Sequence, residues 1–183
     1  METALVTPVL VFVLLGIIEL PMLVRDYVAV TSAARTGARV GSAAPAATAP
    51  TASGFVQLAA DAVGSSGGGL PDGALKSVMV YKANSGGYPG SLTSMPTTCG
   101  AISNCVTLTW SDVTRTFTVS GGSWASSTVN ACFPTNVDSI GVGVVADHQF
   151  LSGLIGTSLT MSDHAVMNFE PLPVGKCAAG SHQ

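Results

Sequence analysis

Two Asp-His dipeptides are the most chemically suggestive residues in this sequence: Asp147-His148 in ADHQF and Asp163-His164 in SDHAV. An imidazole beside a carboxylate suits proton transfer or a divalent metal, and the two pairs could share a site if their strands were neighbours. Two exposed polar pairs on strands are the simpler reading, so no metal site is assigned. The sequence holds no GxSxG elbow, HExxH helix or GxxxxGK[ST] phosphate loop, and its SSGGGL run lacks the strand-to-helix context of a dinucleotide site. Titratable side chains are also scarce: Asp, Glu, Lys and Arg make up 9% of the 183 residues, against about a quarter in ordinary soluble domains. General acid-base work draws on such groups, so the expectation is a protein that is not an enzyme and uses no cofactor. A net charge of −3 without a basic stripe leaves no electrostatic footprint for nucleic acid.

Cysteine chemistry is the exception. Cys99, Cys105, Cys132 and Cys177 form an even set whose spacing matches no paired CxxC zinc pattern, which favours disulfides and an oxidising compartment. Of the three connectivities, the favoured one joins Cys99 to Cys105 across the short CGAISNC loop and Cys132 to Cys177, pinning the C-terminal tail. Closing the longer loop is worth roughly 4 kcal/mol in the chain-entropy picture. Four reduced, buried thiols are the alternative and would suit a cytosolic domain.

The elements that must position these groups begin with residues 4–24, ALVTPVLVFVLLGIIELPMLV, long enough as a helix to cross about 30 Å of hydrocarbon. No basic start or small-residue cleavage site marks the segment as a signal peptide, so it is expected to persist in the mature protein. Pro8 and Pro21 each remove a backbone donor, and a bend or local opening is expected at both. Glu19 is costly inside lipid unless protonated, paired or turned towards protein. Arg25 lies six positions on and is not its helical neighbour, which makes another subunit the natural partner; a wet, interfacial Glu19 is the competing reading. Arg25, Arg35 and Arg39 follow the span and nothing basic precedes it. Taken literally, that would put the C-terminal part in the cytoplasm; a basic leader removed before maturation would resolve the conflict.

The helical pattern runs on to Pro45, giving one helix of roughly 40 residues and about 60 Å. Ala29, Ala33, Gly37 and Gly41 recur every fourth residue and form a ridge without bulk that lets another backbone approach closely. It could seat the helix on this chain's own sheet or on a neighbouring subunit.

These N-terminal residues resemble the TadE-like pilins of bacterial tight-adherence (Tad) pili, part of the type IV pilus family. Glu2 followed by Ala4-Leu5-Val6 and Pro8, the segment Gly16-Ile17-Ile18-Glu19, Asp26-Tyr27, and Ala33-Ala34-Arg35-Thr36-Gly37-Ala38-Arg39 are similar to that family's helix over the first 42 residues. Leu159-Thr160-Met161, Ala165-Val166-Met167 and Glu170-Pro171 are more weakly similar to its final strand. The resemblance implies that Glu2 meets the terminal amine of a neighbouring subunit and sets axial register; on the residues alone, Glu2 caps a helix start. The glycine processing site that precedes the family's glutamate is not among these residues. The resemblance further implies self-association or association with other pilin-like subunits, a prepilin peptidase, pilus assembly machinery, residence in the cytoplasmic membrane, and then an extracellular pilus.

Domain organisation is expected as a long helix over 1–42, a linker over 43–54 and an extracytoplasmic, disulfide-bonded α+β domain over 55–183. A short helix is predicted near 55–63, a flexible GSSGGG run after it, and strands around 76–82, 106–110, 115–119, 139–147 and 159–169 in an antiparallel sheet packed on the helix. The loops 83–98 and 121–128 are where a binding surface could lie. Two functions fit this plan. One is a structural subunit, major or minor, whose helices bundle into a filament that displays the domains for adhesion. The other is a membrane-tethered binding module, or a tip or priming component, that does not itself form the filament.

Overall fold

A computed structural model describes residues 2–45, 54–132, 137–153, 156–172 and 177; most of the expected 43–54 linker lies outside the described residues. The first element, α1 (Glu2–Ser42), is a single helix that runs through Pro8 and Pro21, about 60 Å long at 1.5 Å per residue. It ends where Ala43 N–H and the Ser42 hydroxyl both donate to the Arg39 carbonyl, shortly before Pro45, which cannot continue it.

The second helix, α2 (Gly54–Ser66), buries Phe55, Val56, Ala59, Ala60 and Val63, spaced to form one apolar face. The GSSGGG run is not a free tether. Ser65 and Ser66 complete α2, their hydroxyls donating to the Ala62 carbonyl at 3.0 and 2.7 Å, and Gly67–Gly69 adds one 3-10 turn.

Five strands follow: β1 (Leu75–Ala83), β2 (Cys105–Ser111), β3 (Thr116–Ser123), β4 (Ser139–Gln149) and β5 (Ser158–Asn168). They make one antiparallel sheet in the order β3-β2-β1-β4-β5, so the fold is α+β. The sequence marked 121–128 as a loop, but Gly121, Gly122 and Ser123 pair with Thr107, Val106 and Cys105. Gly122, at φ 77°, stands where a Cβ would strike the Cys105 carbonyl, so only glycine lets the strand continue past the irregularity after Thr107. Ser126–Thr128 is a 3-10 turn.

Period-two alternation divides the sheet's faces. Val78, Val80, Val106, Leu108, Ile140, Val142, Val144 and Ala146 face both helices in the main core, with α1 against β4 and β5 and α2 beside it. Phe55, Trp124 and Phe169 meet edge to face there, with centroids 4.9–5.8 Å apart, a geometry worth about 1 kcal/mol per pair beyond area burial. The opposite face carries Met79 and Tyr81 and is covered by the segment that includes Met95, Cys99 and Ile102. Within the expected 83–98 loop, Met95 thus belongs to a lid on the sheet. Gly141 and Gly143 open the space that the Tyr81 ring and Met95 occupy.

Candidate functional site

The residues singled out for assembly lie along α1, and the structure divides that helix into two halves. In the C-terminal half the small-residue ridge is already occupied within the chain. Ala33, Gly37 and Gly41 are buried and Ala29 is half-buried. A Cβ on Gly37 would lie 2.6 Å from Val63 Cγ2 and 3.0 Å from the Ala59 carbonyl, and one on Gly41 would lie 2.7 Å from Ile140 Cδ1. The absence of side chains there brings α2 and β4 against the helix backbone. Of the two seatings the sequence allowed, the ridge takes the one on its own domain.

β4 runs antiparallel to α1. Ile140 packs by Gly41 and Val142 by Gly37, and further down the helix the contacts become polar. His148 Nδ1 and Asp26 Oδ2 are 2.7 Å apart, with both side chains about 95% buried. Beyond it the Ser152 N–H donates to Glu19 Oε1 at 2.7 Å, and Glu19 itself is 4% exposed. Within the chain, the loop after β4 thus supplies Glu19 with a partner. Arg25, one residue before Asp26, donates to the Gly69 carbonyl at 2.6 Å and ties the 3-10 turn to the same stretch of helix.

His148 departs from the expectation of an exposed pair with Asp147. Alternation along β4 carries it to the core face in line with Val144 and Ala146, while Asp147 turns the other way, accepting from Thr160 Oγ1 at 2.7 Å and lying 3.7 Å from Lys76 Nζ. His164 pairs in register with Gly143, five positions from His148 along β4, and its ring lies 5.4 Å from that of Tyr88. Among the described residues no three His, Cys, Asp or Glu side chains cluster as a metal site. The Asp26–His148 contact was missed from the sequence, although a signal existed: Glu19 and Asp26 are two helical turns apart, hence on one face, and His148 continues the inward parity of β4.

In the N-terminal half of α1 the large apolar side chains face outward. Twelve of them between Val6 and Val24 are exposed, Val6, Phe12, Ile17 and Leu20 each by more than half; Pro8 and Pro21 are exposed with them. The helix is long and apolar enough to cross a membrane. Glu2 lies in its first turn, and its side chain is outside the described residues.

Both cysteine pairs lie in the domain. Cys99 is bonded to Cys105 and Cys132 to Cys177, closing separations of 6 and 45 residues. The first sits buried on the lidded face of the sheet, where the Cys99 N–H donates to Thr107 Oγ1 at 3.0 Å. A cleft of about 480 Å³ opens between the end of α2 and the β2–β3 turn, lined by Asp61, Leu70, Asp72, Trp110, Asp112 and Arg115, away from both loops marked for binding. Its polar groups are engaged with one another: Trp110 Nε1 donates to Asp112 at 2.8 Å and Arg115 pairs with Asp72 at 2.9 Å. That arrangement supports no catalytic assignment.

The site is thus a helix with one exposed apolar half and one half built into an α+β domain. The model of the TadE-like protein family matches residues 1–39, so the similarity covers nearly all of α1. No curated protein and no solved structure gives a significant match to the chain.

Proposed function

We propose that this protein is a structural subunit of a Tad-type pilus, held in the membrane by the first half of α1 and assembled through it. The observation that carries the reading is the outward-facing apolar surface from Val6 to Val24 on a helix whose other half is fixed in a folded domain. Fully covering a large apolar side chain is worth roughly 1.5–3 kcal/mol, and twelve of them stand 39–63% exposed along this half of the helix. Such a surface needs a cover: lipid before assembly, neighbouring helices after it. The disulfide-bonded domain then forms the exterior, and Glu2, in the first turn of α1, is the residue proposed to pair between subunits. The remaining assembly residues take other parts in this reading. Pro8 and Pro21 shape the free half, whereas Glu19, Arg25 and the ridge of Ala29, Ala33, Gly37 and Gly41 hold the domain at a set height and angle.

Electron cryomicroscopy of material sheared from producing cells is the test. Filaments with residues 4–41 in the core support the reading, and Glu2→Ala is expected to abolish them while leaving a folded, disulfide-bonded domain. Normal filaments from Glu2→Ala would remove the assembly role of Glu2. Recovery of the chain only from detergent-extracted membranes would favour the second reading, a tethered module or a tip or priming component; the Trp110 cleft is the feature that such a module would use.

A further inference from the structure

The hairpin joining β4 to β5 reaches down α1 to the height of Glu19, inside the helix's apolar run. Its last ladder pair is Gln149–Ser158, Phe150 N–H then donates to the Thr157 carbonyl at 3.1 Å, and Ser152 is bonded to Glu19. Glu19 lies inside the 4–24 apolar run, and Leu20 and Val24 above it are 63% and 60% exposed. The exposed apolar surface of α1 continues past Glu19 through Met22 to Val24, so a bilayer that covers this surface rises past Glu19 and meets the hairpin.

The hairpin has the composition for that contact. From Phe150 to Ser162 the sequence contains no Asp, Glu, Lys, Arg or His. Leu151 is 70% exposed and Leu159 is 44% exposed. Phe150 lies edge-on to His148 at 5.0 Å, which fixes the base of the loop against the buried Asp26–His148 pair.

We infer that the tip of the β4–β5 hairpin is a second membrane contact, with Leu151 and Leu159 inserted in the extracytoplasmic face of the bilayer beside α1. The inference rests on the proposed membrane-spanning role of the helix. It gives the Glu19–Ser152 bond a purpose: a carboxylate and a loop N–H, both costly to leave bare at that depth, satisfy each other. The hairpin also acts as a depth stop, fixing how much of α1 is drawn into the bilayer.

The test uses the full chain in phosphatidylcholine vesicles whose acyl chains carry bromine near the headgroup, with wild type as background for Trp110 and Trp124. Leu151→Trp is expected to add a blue-shifted emission that loses most of its intensity in the brominated vesicles, and Phe12→Trp reports the spanning helix in the same way. Quenching of both variants supports the inference. Quenching of Phe12→Trp alone overturns it and leaves the spanning helix intact, whereas no quenching of either overturns both. If Leu151→Trp is open to aqueous iodide in vesicles but shielded in filaments, the tip is a contact between copies and the membrane inference falls.

Discussion

The two halves of α1 are one continuous helix, yet they do opposite things. From Ala29 to Gly41 the inward positions are, apart from Val30, Ala and Gly, and the helix is drawn against α2 and β4 until single atoms decide the fit. From Val6 to Leu20 the positions are Val, Leu, Ile and Phe, and the side chains point away from the domain. Small residues commit a helix to a partner of defined shape. Large ones commit it only to something apolar, and lipid or a neighbouring helix serves equally well. Between the halves, Glu19, Arg25 and Asp26 mark the change with polar contacts to the domain.

The contrast can be broken most strongly at that boundary. Asp26→Ala leaves His148 Nδ1 buried without its hydrogen-bond partner, with Nε2 already unpartnered, and the expected loss is about 3 kcal/mol, read as a lower guanidinium midpoint at unchanged slope for the detergent-solubilised chain. Next in size, Gly37→Leu forces a side chain against the Ala59 backbone and should cost about 1–3 kcal/mol. Gly16→Leu meets nothing within 4 Å and should leave the midpoint unchanged or raise it, because leucine is the better helix former by ~1 kcal/mol. Equal losses at Gly37 and Gly16 would erase the distinction between the halves.

A smaller effect depends on pH and belongs to the domain alone. Burial, with a lesser contribution from Tyr88, pushes the Tyr81 phenol above its ordinary range, and its hydroxyl donates to the Gly87 carbonyl at 2.9 Å. In the unfolded chain this phenol ionises near pH 10; in the folded chain it holds its proton to higher pH. Its contribution is thus complete below about pH 10 and declines above it, by up to about 1.4 kcal/mol per pH unit. Tyr81→Phe should flatten the alkaline arm of a plot of midpoint against pH while costing about 1 kcal/mol at neutrality; an unchanged arm would sink the assignment. The smallest expected change is at Val13→Ala, within about 0.5 kcal/mol of wild type for the domain, since Val13 is 56% exposed.

Most of the architecture could be read from local pattern. The 4–24 run announces a helix long and apolar enough to cross a membrane because length and hydropathy are properties of the segment alone, and the strands near 76–82, 106–110 and 139–147 show the alternation that burial on one face imposes. The misreadings have a common cause. GSSGGG has the composition of a tether, but the Ala62 carbonyl and the Arg25 side chain order its ends. Residues 121–128 have the composition of a loop, but strand β2 offers an unpaired edge and Gly122 can take the backbone conformation needed to use it. In both cases distant groups override local composition.

The sequence alone determined that α1 exists, how long it is, which end is apolar and that a TadE-like family resemblance covers it, because helical period and hydrophobicity are set within a few turns. It also carried the ridge of Ala29, Ala33, Gly37 and Gly41, but not its partner. Only the tertiary structure decided that this ridge belongs to α2 and β4, that Asp26 pairs with His148 across 122 residues, and that Ser152 takes up Glu19 across 133. Those contacts come from the antiparallel run of β4 down the helix, and their register depends on the whole sheet closing around one core.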